Sequence, residues 1–126
     1  MDIKKALEEN REFVIRLKSS WEITKKIDVK DIIKWVVSTQ ENFLDIVICK
    51  KTGIPTYHFA HVVDDHLMRT THVLRGDEWL SSVPAHYELF KTLGFDLPLY
   101  GHISPINKLD NGNKRKLSKR KDPEAN

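Results

Sequence analysis

Residues 55–79 constrain the fold more than any other stretch. They run from a proline-marked entry through a segment with helical apolar spacing to a β-branched segment that ends in charge. Gly53 and Pro55 close off whatever precedes. A short strand is expected at the entry, where residues 54–57 follow the Gly53 turn in a hairpin-like arrangement with the strand before it. Phe59, Val62, Val63, Leu67 and Met68 recur at helical spacing and predict an amphipathic helix. Thr71 to Leu74 offers β-branched and apolar residues for a second strand. Arg75, Gly76, Asp77, Glu78 and Trp79 then lie where that strand ends and the next helix begins. In parallel α/β sheets, ligands bind outside the carboxyl ends of strands. A buried strand therefore puts Arg75 and its neighbours at a site. A surface turn with a solvated arginine is the alternative that residue type alone allows.

The rest of the chain extends the same alternation. A helix is expected over residues 2–11, a strand over 13–18, and one or two short strands over 31–39; residues 21–30 give no clear signal. Residues 45–50 read as a strand, closed by a turn at Gly53. After Trp79 a helix with Leu80, Val83, Tyr87, Leu89 and Phe90 on its apolar face should end at Gly94. Pro84 falls in its first turns, where proline costs least. Residues 100–106 read as a strand and 109–113 as a turn or mobile loop, with Asp122 and Pro123 as a stop and poorly ordered residues after them. Short links between strand, helix and strand predict parallel pairing. Residues 55–106 should thus give three parallel strands with two helices, and residues 13–50 a separate, smaller β-rich part.

Composition excludes several classes. The chain has 126 residues, 40% hydrophobic and 31% charged, which suits one small folded domain. No run of ~18 apolar residues occurs, so no membrane span is expected. The first residues lack a signal-peptide core. Cys49 is the only cysteine, which excludes an intramolecular disulfide or a cysteine metal cluster. The expected compartment is the cytoplasm. The net charge of +3 is uneven. Lys108, Lys114, Arg115, Lys116, Lys119, Arg120 and Lys121 crowd the C-terminal part, as either a phosphate- or nucleic-acid-binding run or a solvated tail.

Pro-Thr-Tyr-His at 55–58, Val-Val-Asp-Asp at 62–65, Arg-Gly-Asp-Glu-Trp at 75–79 and Lys-Leu-Ser-Lys-Arg at 116–120 stand in the order and with the spacing of one family. In these blocks the chain resembles the catalytic domain of bacterial-type glutamyl-tRNA synthetases, with a fainter likeness back to residue 13. The resemblance implies an α/β fold: the second half of a doubly wound, Rossmann-like nucleotide-binding sheet. Residues 55–126 would form that half, and residues 1–54 the tail of an inserted α+β domain that binds the tRNA acceptor end. The family's first ATP motif, of His-Ile-Gly-His type, is not in this sequence. The expectation is an internal fragment of a larger enzyme, inactive alone, with Met1 a cloning start or a chance methionine. The family commonly has a glycine near residues 34–35, where this chain has Lys34-Trp35, so a turn should differ there.

The implied reaction is activation of glutamate by ATP and transfer to the 3′ end of tRNA(Glu). Arg75 resembles the family arginine that binds the amino acid. Its planar fork can take a carboxylate in bidentate fashion and stays charged. Tyr57 and Trp79 resemble residues lining the same pocket, and His61 occupies a helical position facing it; each also suits simple packing. Glu78, Ser118 and Lys119 resemble ATP-contacting residues, with Lys119 and Lys116 supplying positive charge in the reaction. Glu78 could instead serve only as favourable helix N-terminal charge. Magnesium would arrive with ATP, and no zinc or other metal site is expected. His58, His61 and Asp65 could share a helix face, which an exposed polar face explains equally well. Asp64 and Asp65 carry no assigned chemistry. Two other readings fit less of the sequence: a tRNA-modifying, glutamate-activating paralogue, and a non-catalytic tRNA-binding module.

Overall fold

The structure is a computed structural model that describes residues 3–20, 22 and 24–122; Trp21 and the stretch from Pro123 onward lie outside the described residues. Two β-strands carry the site. β5 (His72–Gly76) and β6 (Leu99–Ile103) pair in parallel, with Arg75 opposite His102 and Val73 opposite Tyr100. Between them run a 3-10 helix (Asp77–Ser82) and α3 (Val83–Leu93). α2 (Tyr57–Leu67) precedes β5 and packs against α3. This is the α/β arrangement expected of strand, helix and strand joined by short links.

The third parallel strand is not where the sequence suggests. Pro55 makes only an isolated bridge to Cys49, and Tyr57 already opens α2. The partner of β6 is instead β2 (Lys26–Asp31), from the stretch that gave no clear signal. β2 pairs antiparallel with β3 (Trp35–Gln40), so the sheet order is β3-β2-β6-β5. The pairing of β2 with β6 is brief: Asp31 aligns with Tyr100, and Ile32 N–H donates to the Tyr100 carbonyl at 2.8 Å. Residues 26–40 therefore belong to the same sheet as β5 and β6, not to a separate β-rich part. Separately, β1 (Ile15–Arg16) pairs antiparallel with β4 (Val47–Cys49). The expected strand at 13–18 is cut to two residues, and Phe13, Val14 and Ile15 are exposed. α1 spans Ile3–Glu8.

Leu17, Val62, Leu89 and Phe90 form the core, flanked by Ile46, Ile48, Phe59 and Phe95. It lies between α2, α3 and the β1–β4 ladder. Leu67 and Met68, expected on the apolar face of α2, are exposed at its C-terminal end. Gly94 ends α3 with φ 68, the left-handed cap for which glycine is best suited. Of the turn or mobile loop expected at 109–113, the structure forms the turn, which closes a hairpin. β7 (Asn107–Asp110) and β8 (Asn113–Lys116) pair across Asn111 and Gly112, with φ of 51 and 80. Asn-Gly is the dipeptide such a turn favours.

The β2–β3 hairpin departs from the easy solution. Asp31 Oδ1 accepts from the Ile33 and Lys34 N–H groups, both at 2.9 Å, and so shapes the turn. The chain leaves that turn through Trp35 at φ 67, with the side chain 85% exposed. Left-handed backbone costs an L-residue ~1–2 kcal/mol, and glycine costs ~0.5–1 kcal/mol in lost chain entropy. Trp35→Gly gives up little packing and should therefore stabilise the protein by about 0.5–1 kcal/mol. A shift of the urea midpoint to higher concentration checks this; an unchanged or lower midpoint would mean that the turn carries no such strain.

Candidate active site

β-strand alternation explains how the site is built. Val73 and Arg75 share the half-buried face of β5, whereas His72 and Leu74 are exposed on the other. On β6, Tyr100 and His102 are both fully buried, and their rings lie nearly parallel with centroids 5.9 Å apart. Parallel register then sets Arg75 over this pair. Its Cζ sits 4.8 Å from the centre of the Tyr100 ring, and its Nε donates to His102 Nε2 at 3.0 Å. Nη1 lies 3.1 Å from His86 Nδ1, and Nη2 makes a long contact of 3.5 Å to the Trp79 carbonyl.

These contacts fix the protons on the imidazoles. Arginine N–H groups only donate, so His102 Nε2 and His86 Nδ1 must be bare. His102 then carries its proton on Nδ1 and donates to Asp31 Oδ2 at 2.6 Å. His86 carries its proton on Nε2 and donates to His58 Nδ1 at 2.9 Å. The result is one buried chain: Asp31, His102, Arg75, His86, His58. Asp65 assists Arg75 only at longer range, and the ion pairs among the described residues do not include this arginine. The guanidinium is held in place without its charge being cancelled.

Each titration shift has a local cause. Burial lowers the His86 pKa to about 2, reinforced by His61, Arg75, His58 and His102 around it. His58 is lowered by burial and by Arg75. His61 is also lowered by burial, although Asp65 pulls the other way. Burial alone would raise Asp31. The Lys34 N–H, the His102 ring and the Ile33 and His102 N–H groups more than offset that and hold its carboxyl at about 2. Burial pushes Tyr100 well above the usual phenol range, Arg75 acting against it.

Four of the expected site residues come together here: Arg75, Tyr57, His61 and Trp79. The Tyr57 ring lies 4.7 Å from Trp79 and 5.9 Å from His61, and the His61 ring 4.5 Å from His86. His61 Nε2 is 3.1 Å from the Tyr100 hydroxyl. Its Nδ1 is 3.0 Å from Asp65 Oδ2, yet that oxygen accepts no aligned hydrogen bond, so the contact is electrostatic. His58 and His61 are thus engaged by protein groups, and among the described residues no cluster of three or more potential metal ligands forms.

Glu78 stands beside this cluster on the 3-10 helix, folded over Gly76. A Cβ added at Gly76 would meet Glu78 Oε2 at 2.0 Å, so a larger residue there would turn the flexible Glu78 carboxylate away from this position. Glu78 Oε1 lies 3.5 Å from Lys116 Nζ and links the cluster to the basic loop. That loop is pinned from below. Asp122, fully buried, takes both Nη groups of Arg115 at 2.7 Å, the Ser118 N–H at 2.8 Å, and Lys108. Ser118 spends its N–H on this clamp. Lys119 is exposed, with no hydrogen bond or ion pair to the Arg75 cluster among the described residues.

Sequence reasoning missed His86, His102 and Asp31. His86 had a signal: it falls on the same α3 stripe as Val83 and Phe90, so a polar side chain was bound for the core. His102 had a weaker one, alternating with Tyr100. Asp31 had none, because its role depends on β2 reaching β6.

Residues 1–125 match the family described as tRNA synthetases class I (E and Q), catalytic domain. The chain belongs to this family. A glutamate–tRNA ligase of Acetivibrio thermocellus is 61% identical over 123 residues, 98% of this chain and 22% of that protein. One of Clostridium beijerinckii is 54% identical over 121 residues, 96% of this chain and 22% of that protein. The crystal structure of a glutamate tRNA ligase from Elizabethkingia meningosepticum, in complex with its amino acid, has a TM-score of 0.82. It is 45% identical and covers 94% of this chain, which spans 23% of that one. This class I synthetase segment therefore spans less than a quarter of its relatives' length. Among the described residues no helix is long and apolar enough to cross a membrane.

The buried histidines of this synthetase segment give it an acid-sensitive stability. A histidine whose pKa is lower folded than unfolded takes its proton preferentially in the unfolded chain. Stability that rests on its neutrality is complete above its unfolded pKa and is lost as pH falls toward the folded value. For His86 that window runs from 6.5 down to about 2. The loss from His86 alone should reach about 2 kcal/mol by pH 5, at roughly 1.4 kcal/mol per pH unit. Asp31 adds its own loss only from 3.8 down to about 2. His86→Gln retains an acceptor for Arg75 but cannot titrate, and should flatten the fall in urea midpoint between pH 7 and 5. A slope equal to wild type would contradict the assignment.

Proposed function

We propose that this chain is part of a cytoplasmic glutamate–tRNA ligase that activates glutamate with ATP and transfers it to the 3′ end of tRNA(Glu). In this reading residues 55–126, together with the β2–β3 hairpin that joins their sheet, are the second half of the catalytic nucleotide-binding domain, and the rest of residues 1–54 is the end of the inserted acceptor-binding domain, which moves the boundary expected at residue 54. The supporting observation is Arg75: a half-buried guanidinium at the carboxyl end of β5, fixed by two imidazoles with no ion-paired carboxylate among the described residues, beside Tyr57, His61 and Trp79. Such a cation is set to take an anionic ligand, and its fork matches a carboxylate.

In the first step a glutamate carboxylate oxygen attacks the α-phosphate of ATP, and pyrophosphate leaves. In the second, a hydroxyl at the 3′ end of the tRNA attacks the acyl carbon, and AMP leaves. Neither step needs a covalent enzyme nucleophile; both need placement and positive charge. Arg75 and Tyr57 hold the amino acid, with His61 and Trp79 closing the pocket around it. Glu78 contacts the nucleotide and steers Lys116, whose ammonium is 3.5 Å away. Lys119 and Ser118 meet the ATP phosphates, and magnesium comes with the nucleotide, held mainly by its phosphates. No zinc enters this scheme.

In the full-length parent enzyme, Arg75→Ala should cost on the order of 3–5 kcal/mol in the use of glutamate and much less in that of ATP. Lys119→Ala should slow adenylate formation roughly 10²–10³-fold, by analogy with the loss of one preorganised donor. Lys121→Ala, next to the motif, is the charge control. Glutamate-dependent pyrophosphate exchange measures all three. Unchanged glutamate dependence in the first variant, or equal effects of the two lysines, would overturn the corresponding roles.

A further inference from the structure

Arg75 is held by groups that are themselves held. The Asp31 carboxylate faces two ways. Oδ1 accepts from the Ile33 and Lys34 N–H groups at 2.9 Å each, and Oδ2 from the His102 ring at 2.6 Å and the His102 N–H at 3.1 Å. Neither Asp31 nor His102 is open to solvent. With one ring nitrogen bound to Asp31, His102 has a single nitrogen left, and that one meets Arg75 Nε.

We propose that Asp31 and His102 are positioning residues for Arg75: Asp31 holds His102 in the tautomer protonated on Nδ1, which leaves Nε2 bare to accept from Arg75 Nε and so fixes the plane of the guanidinium. The inference rests on the reading of Arg75 as the arginine that binds glutamate. The arrangement has a specific advantage. A carboxylate placed directly on Arg75 would orient it but cancel its charge. Here the carboxylate stands one imidazole away, so Arg75 is oriented while its charge stays uncancelled and its fork is not closed off by a carboxylate. The orienting residue comes from the β2–β3 hairpin, remote in sequence from the strand that carries Arg75.

Asp31→Asn in the full-length parent enzyme isolates this role. The amide oxygen can still accept from the Ile33 and Lys34 N–H groups, so the turn is kept. The amide nitrogen then faces His102 Nδ1 and can only donate, which forces the His102 proton to Nε2, against the Arg75 N–H. The same logic underlies the loss that an Asp→Asn change causes in the serine-protease triad. The KM for glutamate in pyrophosphate exchange should rise roughly 10–100-fold, as for outer-shell partners elsewhere. The KM for ATP should hold within about twofold and serves as the control for bulk structure, while the melting temperature should fall somewhat, because the amide nitrogen also faces the His102 N–H that Oδ2 accepts from in the wild type.

Two further arms separate positioning from bulk structure. His102→Gln places an amide oxygen for Arg75 Nε without help from Asp31, and combined with Asp31→Asn it should recover most of the lost glutamate affinity. Arg75→Lys removes the fork, and adding Asp31→Asn to it should cost nothing more, because both act through one contact. If Arg75→Lys raises the glutamate KM and Asp31→Asn does not, the positioning role is overturned and the reading of Arg75 stands. If Arg75→Lys leaves the glutamate KM unchanged, that reading fails and the proposal fails with it. Should Asp31→Asn not fold, His102→Gln against His102→Leu carries the test. Retention by glutamine and loss by leucine supports the proposal; equal glutamate KM values overturn it.

Discussion

A half-buried arginine whose charge, in the proposed function, stays available to the substrate is the constraint on which the rest of the structure depends. Leaving its N–H groups unpaired inside the fold would be costly. A direct carboxylate partner would satisfy them but neutralise the site. The chain meets both demands with imidazoles held in fixed tautomers. His102 and His86 take one N–H each, and the Tyr100 ring lies beneath the cation. Each of these must be placed to within a few tenths of an ångström, and each placement draws on a different element. β5 and β6 in parallel register align Arg75 with His102. α3 carries His86 down to Arg75 on a buried stripe. β2 delivers Asp31 to the back of His102.

Buried carboxylates do much of the stitching in a molecule with a small apolar core. Glu88 on α3 accepts from Ser20 N–H at 2.8 Å, Asn42 Nδ2 at 2.6 Å and the Ser19 hydroxyl at 2.9 Å, and so draws two N-terminal loops onto the helix that also holds His86. Asp31 ties the β2–β3 hairpin to β6. Asp122 gathers Arg115, Lys108 and the Ser118 N–H, so three basic or donor groups of the C-terminal stretch are spent on holding the loop rather than presented to solvent. Lys119 and Lys121 are left exposed. The uneven basic charge seen in the sequence thus divides into a structural portion and an outward-facing portion. The shared logic is that a charged acceptor surrounded by several donors can organise backbone where few apolar contacts are available.

The helix after Pro55, the strand that runs into Arg75 and the Gly94 stop were readable from periodicity and turn residues, and the grouping of Tyr57, His61, Trp79 and Arg75 was what the family resemblance implied. Those signals are local, and local signals survive into the fold. What failed was non-local or competitive. The hairpin-like entry at 54–57 forms only as an antiparallel bridge between Pro55 and Cys49, because helix initiation at Tyr57 cuts the strand short. The third parallel strand came from residues 26–31, where alternating Lys and Asp conceal a strand that is buried only at Val29 and Asp31. Asp31 could not be picked out as part of the site, because nothing in its neighbours indicates that β2 will reach β6. His86 could have been, since a histidine at a core position between Val83 and Phe90 needs a polar partner.

The decisive contact is the one Arg75 makes when glutamate is present. The direct measurement is a crystal structure of the full-length parent enzyme with glutamate, at a resolution that orients the guanidinium and the carboxylates. The expected result is a glutamate carboxylate within hydrogen-bond distance of the Arg75 Nη groups, with the Nε bond to His102 and the Nη1 bond to His86 both retained. Glutamate bound away from Arg75, or an Arg75 side chain that abandons His102 to reach it, would contradict the view that the imidazole cradle exists to present this charge to the substrate.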